Sequence, residues 1–314
     1  MSEPSIRPLR REDAPAVAEL LSPIVAADYP ITAAAVEQLL DVLQPGESDL
    51  WVAESDGEIV GWAERTVHFS AAKRDVQRAW AAVRPDHRRR GLGARLFAAA
   101  EESALALRPR MIRSWTCDDA PDGARFLRSR GYEQRRTERM WALDPTTVDL
   151  TDLDRREREA AAAGYRLAPL RDMLDREESL YQAFHATDVD VPNDIEVSGY
   201  SLDEWRRLVL SDPLLDRDGS VVVLAGDEPV ALAWLSVDHE RGLAGNAMTG
   251  TMREHRHRGL ARLAKLATVR WAVEHGIRRI ATGNDSTNRD MLALNEHLGY
   301  QPLPDFLVFA RSLT

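Results

Sequence analysis

The chain has 314 residues, of which 44% are hydrophobic and 29% charged; that length exceeds one ordinary hydrophobic core and predicts two domains of about 150 residues each. Its formal net charge of −10 excludes a general nucleic-acid binder, which needs a basic footprint, and the second half is the more acidic, which favours a cationic substrate. No apolar run approaches the roughly 20 residues of a membrane span, the opening MSEPSIRPLRRED lacks a signal-peptide core, and the single cysteine, Cys117, excludes an internal disulfide and a cysteine-based zinc site; a cytoplasmic protein with no metal and no membrane partner is expected.

In chain order, Ser5–Leu9 reads as extended, Asp13 to about Ala27 as helical, and 33–43 as a second helix. Leu50–Glu54 and Glu58–Val67 alternate around Asp56-Gly57 as a hairpin. Val76–Val83 is a third strand. A helix follows Gly91, then a strand at Met111–Thr116, a short helix before Gly131 and a last strand near Arg139–Leu143. Residues 144–164 read as a linker, with Asp154–Ala163 charged and alanine-rich enough for a short helix. From Tyr165 the order repeats. A hairpin pairs Val221–Ala225 with Pro229–Val237 around Asp227, and Leu243–Thr251 forms the next strand. In the helix after Gly259, Leu260, Leu263, Ala264, Ala267 and Trp271 share one face and Gly276 ends it. The predicted organisation is one domain over 1–143, a linker over 144–164 and a second domain over 165–314.

The two domains are copies. His87-Arg88-Arg89-Arg90-Gly91-Leu92-Gly93 returns 168 residues later as His255-Arg256-His257-Arg258-Gly259-Leu260-Ala261, and Gly131-Tyr132 returns at the same offset as Gly299-Tyr300. A spacing this long, kept over two separated motifs, marks duplicated domains and not a solenoid.

The repeated motif carries chemistry. A strand enters an arginine-rich turn, a glycine follows, and a long helix begins. Unpaired backbone N–H groups at such a helix start, aided by the helix dipole, bind pyrophosphate-like anions. Gly259 and the small Ala261 allow close approach, and Arg256 and Arg258 add charge-assisted contacts. The Gly-Lys-Ser/Thr ending of a Walker loop is missing, as is the third glycine of the dinucleotide fingerprint.

Arg88-x-x-Gly91-x-Gly93 and Arg256-x-x-Gly259-x-Ala261 resemble the pyrophosphate loop of the GNAT superfamily of N-acetyltransferases. Thr282-x-Asn284-x-x-x-Asn288-x-x-Met291-x-x-x-Asn295-x-x-Leu298-Gly299-Tyr300 looks like the end of that superfamily's fifth strand and the helix after it. The tandem arrangement is similar to that of mycothiol synthase and related actinobacterial tandem acetyltransferases. The resemblance implies an α/β fold of two tandem domains, each a mixed β-sheet flanked by helices and splayed between its fourth and fifth strands. It implies acetyl-CoA held in the splay as donor and a small-molecule primary amine as acceptor, in a monomer or homodimer. It implies cofactor contacts from Val83, Arg88, Arg89, Arg90, Gly91, Leu92 and Gly93 in the first half. In the second half they come from Thr251, Met252, Arg256, His257, Arg258, Gly259, Leu260, Ala261, Asn284 and Asn288.

The sequence also departs from that family. Many members carry a tyrosine, at the position aligned with Asn295, that protonates the leaving thiolate; neither Asn295 nor its first-half equivalent Leu127 does so. Ala120 stands where the second half has Asn288. The second half is therefore expected to be catalytic, and the first to bind cofactor or serve as structure. The strand Leu243–Thr251 has no carboxylate to act as base, which leaves Asp238, His239, Glu240 and Asn295 as candidates beside the alternative of a polar turn. Asp188, Asp190 and Asp194, in the segment between the first two helices of the second half, are expected to recognise an ammonium group or to sit in a solvated loop. An acetyl-CoA-binding sensor or scaffold without turnover, and a nucleotide- or phosphate-ligand binding protein, are the alternatives.

Overall fold

The structure, a computed structural model, describes residues 3–25 and 29–313. The first half runs β1 (Ser5–Pro8), α1 (Ala14–Val25), α2 (Ala33–Val42), β2 (Ser48–Ser55), β3 (Glu58–Val67), β4 (Val76–Val83), α3 (Leu92–Ala106), β5 (Met111–Cys117), α4 (Pro121–Ser129) and β6 (Glu133–Leu143). The connection carries α5 (Leu153–Ala162). The second half repeats the order with β7 (Tyr165–Pro169), α6 (Glu177–Asp188), α7 (Leu202–Trp205), β8 (Leu215–Ala225), β9 (Glu228–Asp238), β10 (Leu243–Thr251), α8 (Leu260–Glu274), β11 (Arg279–Asp285), α9 (Arg289–His297), β12 (Gln301–Pro302) and β13 (Phe306–Ser312). The helix expected to reach Ala27 is described to Val25, and its expected end lies outside the described residues.

Both halves share one mixed sheet, in the order β1-β2-β3-β4-β5-β13-β6-β11-β10-β9-β8-β7. The last strands are exchanged. β13, from the second half, lies between β5 and β6, and β6, from the first, lies between β13 and β11. The register maps onto itself at the 168-residue offset: Gln301 faces Ala142 while Ala310 faces Glu133. Likewise Ile280 faces Leu143 while Arg311 faces Ile112. The duplication is thus a pseudo-twofold pair with its axis between β6 and β13. β6 begins at Glu133 and not near Arg139 because its polar start, Glu133-Gln134-Arg135-Arg136, is held by ladder bonds to β13 and not by burial.

Alternation along the strands sorts the core. Ala79, Val83 and Ile112 pack with Leu96, Phe97 and Leu127 from α3 and α4 on one face; Val52, Trp62, Trp80 and Ala82 pack with Val17, Leu21 and Val36 from α1 and α2 on the other. The second half repeats this, with α8 and α9 on one face and α6 and α7 on the other. In each half the fourth and fifth strands pair in parallel for three residues and then diverge: Val76–Arg78 with Met111–Arg113, and Leu243–Gly245 with Arg279–Ala281. These two divergences hold the chemistry.

Candidate active site

The two arginine-rich turns have the same backbone. Arg89 and His257 take φ of 63° and 61°, and Gly91 and Gly259 take 83° and 75°. A left-handed pair separated by one residue turns the chain sharply into α3 or α8. Neither helix start carries a side-chain cap, so its first N–H groups face outward. Nothing lies within 4 Å of where a Cβ on Gly91 or Gly259 would stand, which leaves a ligand room to reach the backbone. Side chains repeat too: the Nε of Arg88 donates to the Val83 carbonyl at 2.8 Å and that of Arg256 to the Thr251 carbonyl at 3.0 Å. Arg258 donates to the Tyr165 hydroxyl at 2.7 Å beside a 220 Å³ hollow against α5. Arg89 pairs with Asp122 at 2.6 Å.

The divergences differ. In the first half Trp80 and Trp115 stack across the gap just beyond the last paired residues, with centroids 4.4 Å apart and planes within 13°. Their counterparts at the 168-residue offset are Met248 and Gly283, so no such stack fills the second gap. β4 pairs with β3 without interruption. β10 instead carries a bulge between Asn246 and Met248, which leaves Ala247 exposed and without a partner on β9. At the bulge and after it, Asn246 Nδ2, Thr249 Oγ1 and Thr251 Oγ1 are buried with no hydrogen-bond partner.

A buried polar chain runs beside the second gap. Lys265 on α8, fully buried, donates to Asn295 Oδ1 on α9 at 2.7 Å; Asn295 Nδ2 donates to Asn284 Oδ1 on β11 at 2.7 Å. The ammonium also sits 4.6 Å from the Tyr300 ring centre, and the Tyr300 hydroxyl donates to Asn246 at 2.9 Å. Among the described residues no carboxylate pairs with Lys265, and burial pushes its ammonium down to about 7. The first half has Phe97, Leu127 and Thr116 at the three positions. Sequence reading weighed Asn284 and Asn295 but missed Lys265, hidden among the apolar residues of α8. Asn288 sits at the start of α9, its side chain accepting from Met291 N at 3.4 Å.

The expected acids lie elsewhere. Asp238 accepts from the Arg241 amide at 3.0 Å and closes the β9–β10 turn. The exposed His239 pairs with Asp216 at 2.8 Å, and Glu240 is exposed. This turn joins the paired ends of β9 and β10, away from the bulge. Asp188, Asp190 and Asp194 go to three different neighbourhoods instead of converging on an ammonium site. Asp190 bonds Arg253 and Arg256, whose guanidinium groups, Arg253 first, hold its carboxyl below the usual range. Asp194 bonds Arg113 of the first half at 2.6 Å. Asp188 is pushed up to about 6 by burial, with Oδ2 unpartnered. The reason is the strand exchange, which brings this segment against the other half: Ala72 N donates to the Glu196 carbonyl at 3.0 Å and Ser198 N to that of Ser70 at 2.9 Å. Cys117 is raised to about 11 by burial and nearby aspartates, which suits a structural thiol.

Residues 46–134 match the family described as acetyltransferase (GNAT) domain, and residues 178–300 match the acetyltransferase (GNAT) family. The chain is a tandem GNAT acetyltransferase. A curated relative, the mycothiol acetyltransferase of Kineococcus radiotolerans, is 27% identical over 249 residues, 79% of this chain and 77% of that protein. A tandem GNAT protein from the clavulanic acid biosynthesis pathway superposes with a TM-score of 0.72 at 20% identity, over 99% of this chain and 98% of that one. A GCN5-related N-acetyltransferase from Sphaerobacter thermophilus gives 0.66 at 17%, over 98% and 95%. Those two likenesses concern the fold. Among the described residues of this tandem acetyltransferase, no helix is long and apolar enough to cross a membrane and no acidic, histidine or cysteine cluster is built to hold a metal.

Proposed function

We propose that the second half transfers the acetyl group of acetyl-CoA to a primary amine on a small molecule, and that the first half binds the same cofactor or acts as structure. The observation that carries this is the contrast between the gaps: Met248 and Gly283 against stacked Trp80 and Trp115, and a bulge in β10 where β4 is continuous. The residues fit the cofactor. The uncapped start of α8, with Arg258, suits a pyrophosphate, and the unpartnered Asn246, Thr249 and Thr251 atoms suit an arm of amides laid along β10. Acetyl-CoA supplies the acyl group already activated as a thioester. Ala247, released from the ladder, offers a fixed backbone donor for the carbonyl on which charge develops. Asn284, its carbonyl occupied by Asn295, has its amide hydrogens left to orient what lies in the gap. The similarity to a mycothiol acetyltransferase supports a small-molecule acceptor.

A sensor or scaffold that binds acetyl-CoA without turnover is the second reading, favoured by Asn295, a buried amide committed on both sides where an acid is common. Release of coenzyme A over a panel of primary amines separates the two. Gly91→Glu and Gly259→Glu each place a carboxylate at a left-handed position with open space around it, so backbone strain, about 1–2 kcal/mol, is matched. The expected outcome is release lost in Gly259→Glu and largely kept in Gly91→Glu. The reverse pattern would falsify the catalytic assignment of the second half, and no release from the unaltered protein with any amine favours the sensor.

A further inference from the structure

A cavity of about 430 Å³ opens where β4 and β5 of the first half diverge, beside the stacked Trp80 and Trp115 and away from the gap between β10 and β11. Its walls are Arg78 and Trp80 from β4, Arg113, Ser114 and Trp115 from β5, and His68, with Phe306 of the exchanged β13; the lining carboxylate, Glu138 of β6, is taken by Arg136 at 2.9 Å. Val191 and Asn193 of the second half close it. Three lining donors lack adequate partners. The nearest carboxylate to Arg78 is Glu64 at 4.0 Å. The buried Ser114 Oγ has no hydrogen-bond partner, and His68 Nδ1 has none beyond its own residue's carbonyl. His68 Nε2 lies 3.1 Å from the Arg113 guanidinium and so accepts, which puts the ring proton on Nδ1. Burial, then Arg113 and Arg78, push this imidazole down to about 3, so it is neutral and that tautomer is fixed.

We propose that this cavity is a second ligand site, for a small carboxylate with an aromatic or other apolar body, and that it is linked to the cofactor loop of the second half. Donors without acceptors call for an acceptor-only group, and a carboxylate is that group. The stacked indoles and Phe306 supply the apolar wall, and the volume suits a compact organic acid. The link is the strap that closes the cavity. Asp194 holds Arg113 inside it, and four residues earlier Asp190 holds Arg253 and Arg256 of the other half's loop. A carboxylate competing for Arg113 loosens Asp194. The strap then relaxes its hold on Arg256, which becomes available to a phosphate. The coupling is reciprocal, as binding linkage requires. This second clause rests on the reading of the α8 loop as the coenzyme A site.

The test titrates benzoate, indole-3-acetate and the uncharged benzamide into the full chain by calorimetry, and then coenzyme A with and without saturating acid. One or both acids are expected to bind and benzamide not to. Arg78→Ala, a half-exposed wall residue, should weaken the acid about tenfold or more, and the acid should tighten coenzyme A about threefold or more. Asp190→Asn should tighten coenzyme A by itself and erase the effect of the acid. Failure of both acids to bind, or equal binding to Arg78→Ala, overturns the site. Acid binding with unchanged coenzyme A affinity overturns the link. Gly259→Glu keeps the two readings apart: it should lose coenzyme A at the second half and keep the acid.

Discussion

Lys265 shows how one residue changes what a duplicated core does. At the same helical position Phe97 fills an apolar core, while Lys265 holds a proton donor in a site with no counter-charge among the described residues. Burial disfavours the charged form, so the folded-state value near 7 lies below the unfolded one. Between about 7 and 10.5 the unfolded chain binds the extra proton, and stability rises with pH across that window. Lys265→Met should remove this rise. Denaturant unfolding at pH 6.5 and pH 10 is the measurement: the stability of the unaltered protein should gain on the variant by a few kcal/mol over that interval. A constant difference would show that the ammonium is not desolvated. The same variant leaves Asn295 Oδ1 without its donor, at about 1–3 kcal/mol, and frees Asn295 to turn from Asn284. A fall in kcat larger than any change in KM is the expected kinetic signature of lost positioning.

At the scale of elements, the strand and helix order and the two arginine-rich turns before α3 and α8 were legible in the sequence, because alternation, helical spacing and left-handed glycines are local. Gly259 and Gly276 stand where a helix start and a helix stop require them. The splay itself followed from the family resemblance, but the difference between the two gaps was not legible. Whether Trp80 meets Trp115 depends on a parallel pairing between strands separated by a helix, and the bulge at Ala247 leaves no mark in Leu243–Thr251 as written. The dispersal of the acids was hidden for the same reason: Asp190 and Asp194 are near neighbours in sequence, yet they pair with arginines of different halves. The contrast between gaps has its own test. Gly283→Trp places an indole where the first half has Trp115, with the flexible Met140 thioether as the nearest obstacle. Acetyl transfer should fall by about a hundredfold or more, with the melting temperature little changed. Retained transfer would show that the gap between β10 and β11 is not the path to the reacting carbonyl.

The whole molecule is held by exchange. Removing 304–314 takes Phe309 out of the first-half core and leaves β5 and β6 with no strand between them. Loss of one buried phenylalanine alone costs about 3–5 kcal/mol, so thermal unfolding should shift down by about 10 °C or more. Adding a peptide of residues 304–314 should restore part of it. A truncated chain that melts where the intact one does would show that β13 is dispensable.

The exchange also dictates an order of events during synthesis. β5 and β6 are complete once residue 143 has been made, yet the strand that belongs between them begins at residue 306. At ribosomal speeds of about 5–20 residues per second, the first half waits on the order of ten to thirty seconds with an open slot flanked by two unpaired strand edges. Edges of that kind recruit any strand that arrives. On a polysome the neighbouring nascent chains each carry the same slot and, later, the same filler, so a crowded message invites β13 of one chain into the slot of the next. Sparse initiation on this message, which spaces the nascent chains apart, should therefore raise the yield of monomeric protein.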